Sequence, residues 1–85
     1  MIRYLPHAEA AMEKRGVSRE AVEATLTTPD WTEPDPTHRD RVRSFKLIDS
    51  LGGRVLRVVH WTEGTDLVVL TVMPDRDAQR RRSRT

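Results

Sequence analysis

HAEAAMEKRGVSREAVEATLTTP, running from His7 to Pro29, decides the fold. Ala8, Ala11, Met12 and Arg15 recur at helical spacing, and the alanines let that helix lie close to a neighbour. Gly16 stands where a left-handed residue ends a helix at little cost. Ser18 is placed to cap a second helix, and Glu20 and Glu23 fall in its early turns, where the helix dipole favours acids. Ala21 occupies the third position after Ser18, so there is no full capping box. Val17, Ala21, Val22, Ala24 and Leu26 supply a buried stripe, and Thr27-Thr28-Pro29 stops the helix. The segment predicts an αα-hairpin.

On its N-terminal side, Met1–Leu5 is compatible with a short strand, and Pro6 sets up the first helix with His7 near its start. On its C-terminal side, DWTEPDPTHRD (Asp30–Asp40) reads as an irregular loop with room for a short edge strand. Strands follow at Arg41–Asp49, Arg54–Thr62 and Leu67–Met73, separated by Gly52-Gly53 and by Glu63-Gly64-Thr65-Asp66. Leu67–Met73 is apolar on both sides and is expected to be the most buried strand. The plan is an α+β domain over residues 1–75, with the αα-hairpin packed on a three- to four-stranded antiparallel sheet. Pro74 is expected to close the ordered body and leave residues 76–85 as a disordered basic tail.

A chain of 85 residues makes one domain with a small core, which a partner or a second copy in a homodimer would help to complete. With no cysteine there is neither a disulfide nor a thiolate metal site. The N-terminus lacks a secretory pattern, and no stretch approaches the roughly 20 apolar residues of a membrane span. A cytoplasmic protein that does not engage membranes is the simplest reading. The tail carries five arginines against one acid, whereas residues 1–75 hold ten Lys/Arg against twelve Asp/Glu. The high pI therefore belongs to the tail, where Arg80, Arg81 and Arg82 would attract polyanions by a salt-sensitive, sequence-blind force. A solvated terminus is the plainer alternative.

Taking Gly52-Gly53 as a two-residue hairpin turn, Leu47 faces Val58 and Phe45 faces His60. That side, with Leu56, is the better core. The other side carries Val42, Ser44, Lys46 and Ile48 alongside Val55, Arg57, Val59 and Trp61. Cations and an aromatic on an open sheet face suit RNA, because bases stack on rings and phosphates pair with Lys and Arg. The alternatives are a merely solvated face, or apolar residues that dock a protein at the sheet or a strand edge. A one-residue slip of register would invert the assignment.

Four pieces of the chain, HAEAAMEKRGVSREAVEATLTTPD, RDRVRSFK, GGRVLRVVHW and DLVVLTVMPD, resemble the family "domain of unknown function 4258" over about residues 4–75. That family looks like an outlying branch of the RelE/ParE-type toxins, alongside the BrnT toxins. The resemblance implies a RelE-like fold and a toxin that cleaves RNA as an endoribonuclease without metal or cofactor, held inactive by an antitoxin protein. It carries His7, Arg15, Lys46 and Arg57 over as the catalytic set; the expected RNA contacts, Ser44 and Trp61 of the open sheet face and Arg80, Arg81 and Arg82 of the tail, come from the residues themselves and not from the resemblance. The basic residue plus tyrosine that some relatives place near the end of the last strand is missing.

The chemistry suits these residue types. A base must take the 2′-OH proton, a cation must stabilise the pentavalent phosphate, and the leaving oxygen must gain a proton. His7 suits the base because histidine titrates near neutrality. Arg15 could bind phosphate or cap its own helix, and Lys46 and Arg57 are the phosphate ligands if the free face is used. His60 is expected to be a core-edge residue satisfied by a partner, and His38 to be solvated. No zinc spacing, phosphate loop or nucleophile elbow is present. The alternative is a non-catalytic module that binds protein or nucleic acid through the open sheet face and the tail.

Overall fold

The computed structural model describes residues 1–78. The chain opens with β1 (Ile2–Tyr4), and Pro6 then starts α1 (Pro6–Arg15) at the first-turn position where its missing N–H costs nothing. Gly16, at φ 65°, ends α1 with its N–H turned back to the Glu13 and Met12 carbonyls. Ser18 caps α2 (Arg19–Thr27), its side-chain oxygen accepting the Ala21 N–H at 3.1 Å. The strands are β2 (Trp31–Pro34), β3 (Val42–Ile48), β4 (Arg54–Glu63) and β5 (Asp66–Pro74).

The fold is α+β, but the sheet is five-stranded and mixed, in the order β1-β5-β4-β3-β2. It is not the three- to four-stranded antiparallel sheet expected. The meander β2 to β5 is antiparallel, and β1 adds to β5 in parallel, pairing Ile2 to Tyr4 with Leu67 to Val69. The helical hairpin crosses the sheet between β1 and β2 and so places them at opposite ends. Ala8, Met12, Val17, Ala21 and Val22 of the hairpin pack on Ile48, Leu56, Val58, Val69 and Val72. Each such side chain removed from water contributes roughly 1.5–3 kcal/mol for the larger aliphatics.

Two further expectations are corrected. The first is the β3–β4 register. Asp49–Leu51 forms a 3-10 turn ahead of Gly52 and Gly53, so the connection is five residues long and Ile48 pairs with Arg54. Phe45 therefore faces Arg57, not His60, and Leu47 faces Val55, not Val58. Leu51 packs against the hairpin core, which favours the longer turn. The offset is odd in residues, so β3 is inverted relative to β4. Ser44, Lys46 and Ile48 lie on the helix side, while Phe45 and Leu47 lie on the other side with Val55, Arg57 and Val59.

The second correction is at the C-terminus. Pro74 does not end the ordered chain: residues 76–78 are helical. Asp75 caps this turn by accepting the Ala78 N–H at 2.9 Å, and Ala78 is fully buried against Phe45 and Val55. A second apolar cluster thus sits on the face away from α1 and α2, where Trp31 stacks on Phe45 with ring centroids 4.7 Å apart. Arg80, Arg81 and Arg82 lie outside the described residues.

Candidate functional site

On α1, residues 7, 10, 11, 14 and 15 share one stripe, because three- and four-residue steps return to the same side of a helix. His7 stands at one end of that stripe and Lys14 with Arg15 at the other, about 10 Å along the axis. Ala10 and Ala11 lie between them and are too small to fill the space. The stripe forms one wall of a groove of about 410 Å³ whose other wall is Thr71, Val72 and Met73 of β5. Arg15 also lines an adjoining hollow of about 190 Å³ with Arg54, Pro74, Asp75 and Arg76. The two hollows adjoin at Arg15 along the C-terminal half of β5, and together they form the cation-lined α1–β5 channel.

The channel's cations are not neutralised by the described chain. His7, Lys14, Arg15, Arg54 and Arg76 take part in none of the ion pairs among residues 1–78. The one carboxylate among the described lining residues, Asp75, is bound elsewhere: it pairs with Arg57 at 3.2 Å and caps the turn that follows. Positive side chains that outnumber the carboxylates around a shared space are an anion-binding arrangement.

The expected catalytic set divides. His7 and Arg15 both line the groove between α1 and β5, at its opposite ends. Lys46 and Arg57 do not share a surface, and this overturns a centre built on both. Lys46 is on the helix side, where its Nζ donates to the Thr28 carbonyl at 2.8 Å and lies 3.9 Å from an Asp30 oxygen. The ammonium therefore supports the C-terminus of α2. Arg57 is on the far side, where its guanidinium bonds Asp75 and the Met73 sulfur.

Ser44 is also displaced from its expected face. It is buried on the helix side with its Oγ 2.7 Å from His60 Nε2. This is the partner that His60 was expected to need, and burial lowers the His60 pKa so that the ring is neutral at pH 7. A serine only 2% exposed cannot meet an external substrate. Trp61 does stand on the far face, held by an Nε1 bond to Glu63 and by the Arg41 guanidinium 5.4 Å from its ring centre. His38 is exposed, as expected, but closes a local turn with Thr37 and Asp35. Of the apolar residues that suggested an open patch, Ile48 and Val59 are buried.

Sequence reasoning missed Lys14, Arg54, Arg76 and Thr71. Lys14 had a signal, since it falls two helical turns from His7. The others are brought in only by the path of β4 and β5. No helix among the described residues is long and apolar enough to cross a membrane.

The family model described as "Domain of unknown function (DUF4258)" matches residues 4–74. No curated protein and no solved structure matches the sequence.

Proposed function

This chain belongs to the DUF4258 family, and on that footing we propose that its α1–β5 channel binds a single RNA strand and cleaves it without metal. The observation that carries this reading is that His7, Lys14, Arg15, Arg54 and Arg76 line two hollows adjoining at Arg15 and take part in no ion pair among the described residues. His7 takes the proton from a ribose 2′-OH. The 2′ oxygen attacks the neighbouring phosphorus, the bond to the 5′ oxygen breaks, and water protonates the leaving oxygen. Arg15 and Lys14 stabilise the charge on the pentavalent phosphate, and Arg54 and Arg76 bind the strand further along. The products are a 2′,3′-cyclic phosphate and a 5′-OH end.

The purified full chain is incubated with single-stranded RNA in excess EDTA. Cleavage to 5′-OH ends is expected, with a loss of about 100-fold or more in His7→Ala. Lys46→Ala, far from the channel, should keep full activity. Four Lys/Arg contacts to phosphate give log Kd against log salt a slope of roughly 2–3. Absence of cleavage under all these conditions, with RNA still bound in a manner that Arg15→Glu abolishes, would leave a binding module in place of an enzyme. RNA that neither binds nor is cut removes both readings.

A further inference from the structure

The two outer sides of the sheet are built differently. At one side β2 is four residues long and carries Pro34, which blocks further pairing. At the other, β1 covers β5 only from Leu67 to Val69, and no strand of the described residues lies beyond Leu70–Pro74. The backbone directions are known on both flanks. The Leu67 N–H donates to the Met1 carbonyl and the Val69 carbonyl accepts from Leu5, both on the β1 side. The Asp75 N–H donates inward, to Val55 of β4. Antiparallel pairs alternate, so Met73 and Thr71 also turn inward, and the Val72 N–H and C=O turn outward with the Pro74 carbonyl. Val72 makes no backbone bond on that side among the described residues. These groups border the channel that Lys14, Arg15, Arg54 and Arg76 line.

An unpaired stretch of strand beside unneutralised cations fits one kind of partner. We propose that Leu70–Pro74 is a docking edge for an extended acidic segment of another protein. The segment adds to the sheet where β1 stops, exchanging hydrogen bonds with Val72, and its carboxylates reach Arg15, Arg54 and Arg76. Five residues of strand span about 16 Å, enough for side chains on alternate positions of the segment to meet both ends of the channel. That such a segment would shut off RNA rests on the reading given above; the docking itself does not.

The test uses the full chain and a fluorescein-labelled decapeptide of alternating Thr and Glu. Its controls are the Thr/Lys decapeptide and the Thr/Glu decapeptide N-methylated at alternate amides. Anisotropy without RNA should show binding of the Thr/Glu peptide alone. N-methylation and Arg54→Glu should each weaken it about tenfold or more, and the bound peptide should slow exchange of the Val72 amide about tenfold. Equal binding of the N-methylated peptide means charge attraction without strand addition and overturns the proposal, as does an unchanged Val72 amide or no binding. A Val72 amide already protected in the free protein, with a dimer in sedimentation, assigns the edge to a second copy and also overturns it. Peptide binding without RNA binding keeps the docking edge and removes the RNA reading. RNA binding that the peptide does not compete against removes only the docking edge.

Discussion

On one face of the sheet, Ile48, Leu56, Val58, Val69 and Val72 meet two helices. On the other, Phe45 and Val55 meet Trp31 and Ala78, and charged side chains are packed among them. Arg43 stands beside Asp35, Arg57 bonds Asp75, and Arg3 bridges Glu63 and Asp66. The Nε atoms of Arg41, Arg43 and Arg57 are buried without a hydrogen-bond partner, although the Arg43 Nε lies 3.8 Å from an Asp35 oxygen and the Arg57 tip bonds Asp75. Arginine therefore has two uses in this domain. On the far face it covers valines and is tied down by carboxylates. In the α1–β5 channel Arg15, Arg54 and Arg76 take part in no ion pair among the described residues. Residue type did not separate the two; the side of the strand and the nearness of an acid did.

If both faces are true cores, each should be intolerant of truncation. Phe45→Ala is expected to cost about 4 kcal/mol and Leu56→Ala about 3 kcal/mol, measured by urea unfolding. A Phe45→Ala cost below about 1 kcal/mol would make the far face a surface, and the contrast would collapse.

Arg57→Ala separates the structural arginines from the channel arginines. It leaves the Asp75 carboxylate half-buried without its cation and should cost about 2 kcal/mol, or roughly 10 °C in Tm. Arg15→Ala should leave Tm within about 2 °C and act on RNA binding instead. The reverse pattern would show Arg57 to be the ligand-binding residue.

The two faces should also fail in different pH ranges. The folded-state pKa of His60 on the helix side lies below its ordinary 6.5, because burial penalises the charged ring. The unfolded chain therefore binds this proton more readily. The stability it contributes is present above pH 6.5 and lost as pH falls below that value. His60→Gln should flatten this segment of the stability curve. Asp35 is held at about 2, chiefly by the Thr37 N–H, against 3.8 ordinarily. Its contribution is present above pH 3.8 and is lost as the pH falls toward 2. Asp35→Asn should remove that lower step and leave the His60 step in place.

The smallest effect concerns the helix side. The Tyr4 hydroxyl is buried without a hydrogen-bond partner, and burial leads the causes that raise its pKa. Arg19 lies over the ring, 4.7 Å from its centre. Tyr4→Phe keeps the ring and removes the unsatisfied oxygen, so stability should be unchanged or higher by under about 1 kcal/mol.

Much of the hairpin was legible because its signals act over three or four residues. Gly16, Ser18 and Pro29 each end or start a helix through neighbouring backbone groups. The strands of the meander were legible from their apolar runs. β1 was visible as a strand but not as a parallel one, since nothing within Met1–Leu5 names its partner. The Asp75 cap was as readable as Ser18, but the arginines after it suggested a tail. Two of the four expected catalytic residues line the candidate site: His7 and Arg15 share a helix, where spacing alone puts them on one stripe. Lys46 and Arg57 are on different strands, and their relation depends on the turn between.

Helix limits, the αα-hairpin and the stripe that aligns His7 with Arg15 follow from bonds between near neighbours in the chain, so the amino-acid order was sufficient for them. Which face each β3 side chain takes, which arginines are tied to acids and where the unpaired edge of β5 falls were settled in three dimensions. These depend on the length of the Asp49–Gly53 connection and on the burial of Leu51 and Phe45. Alternative registers differ only in the total area that the whole sheet buries, and no short stretch of sequence carries that sum.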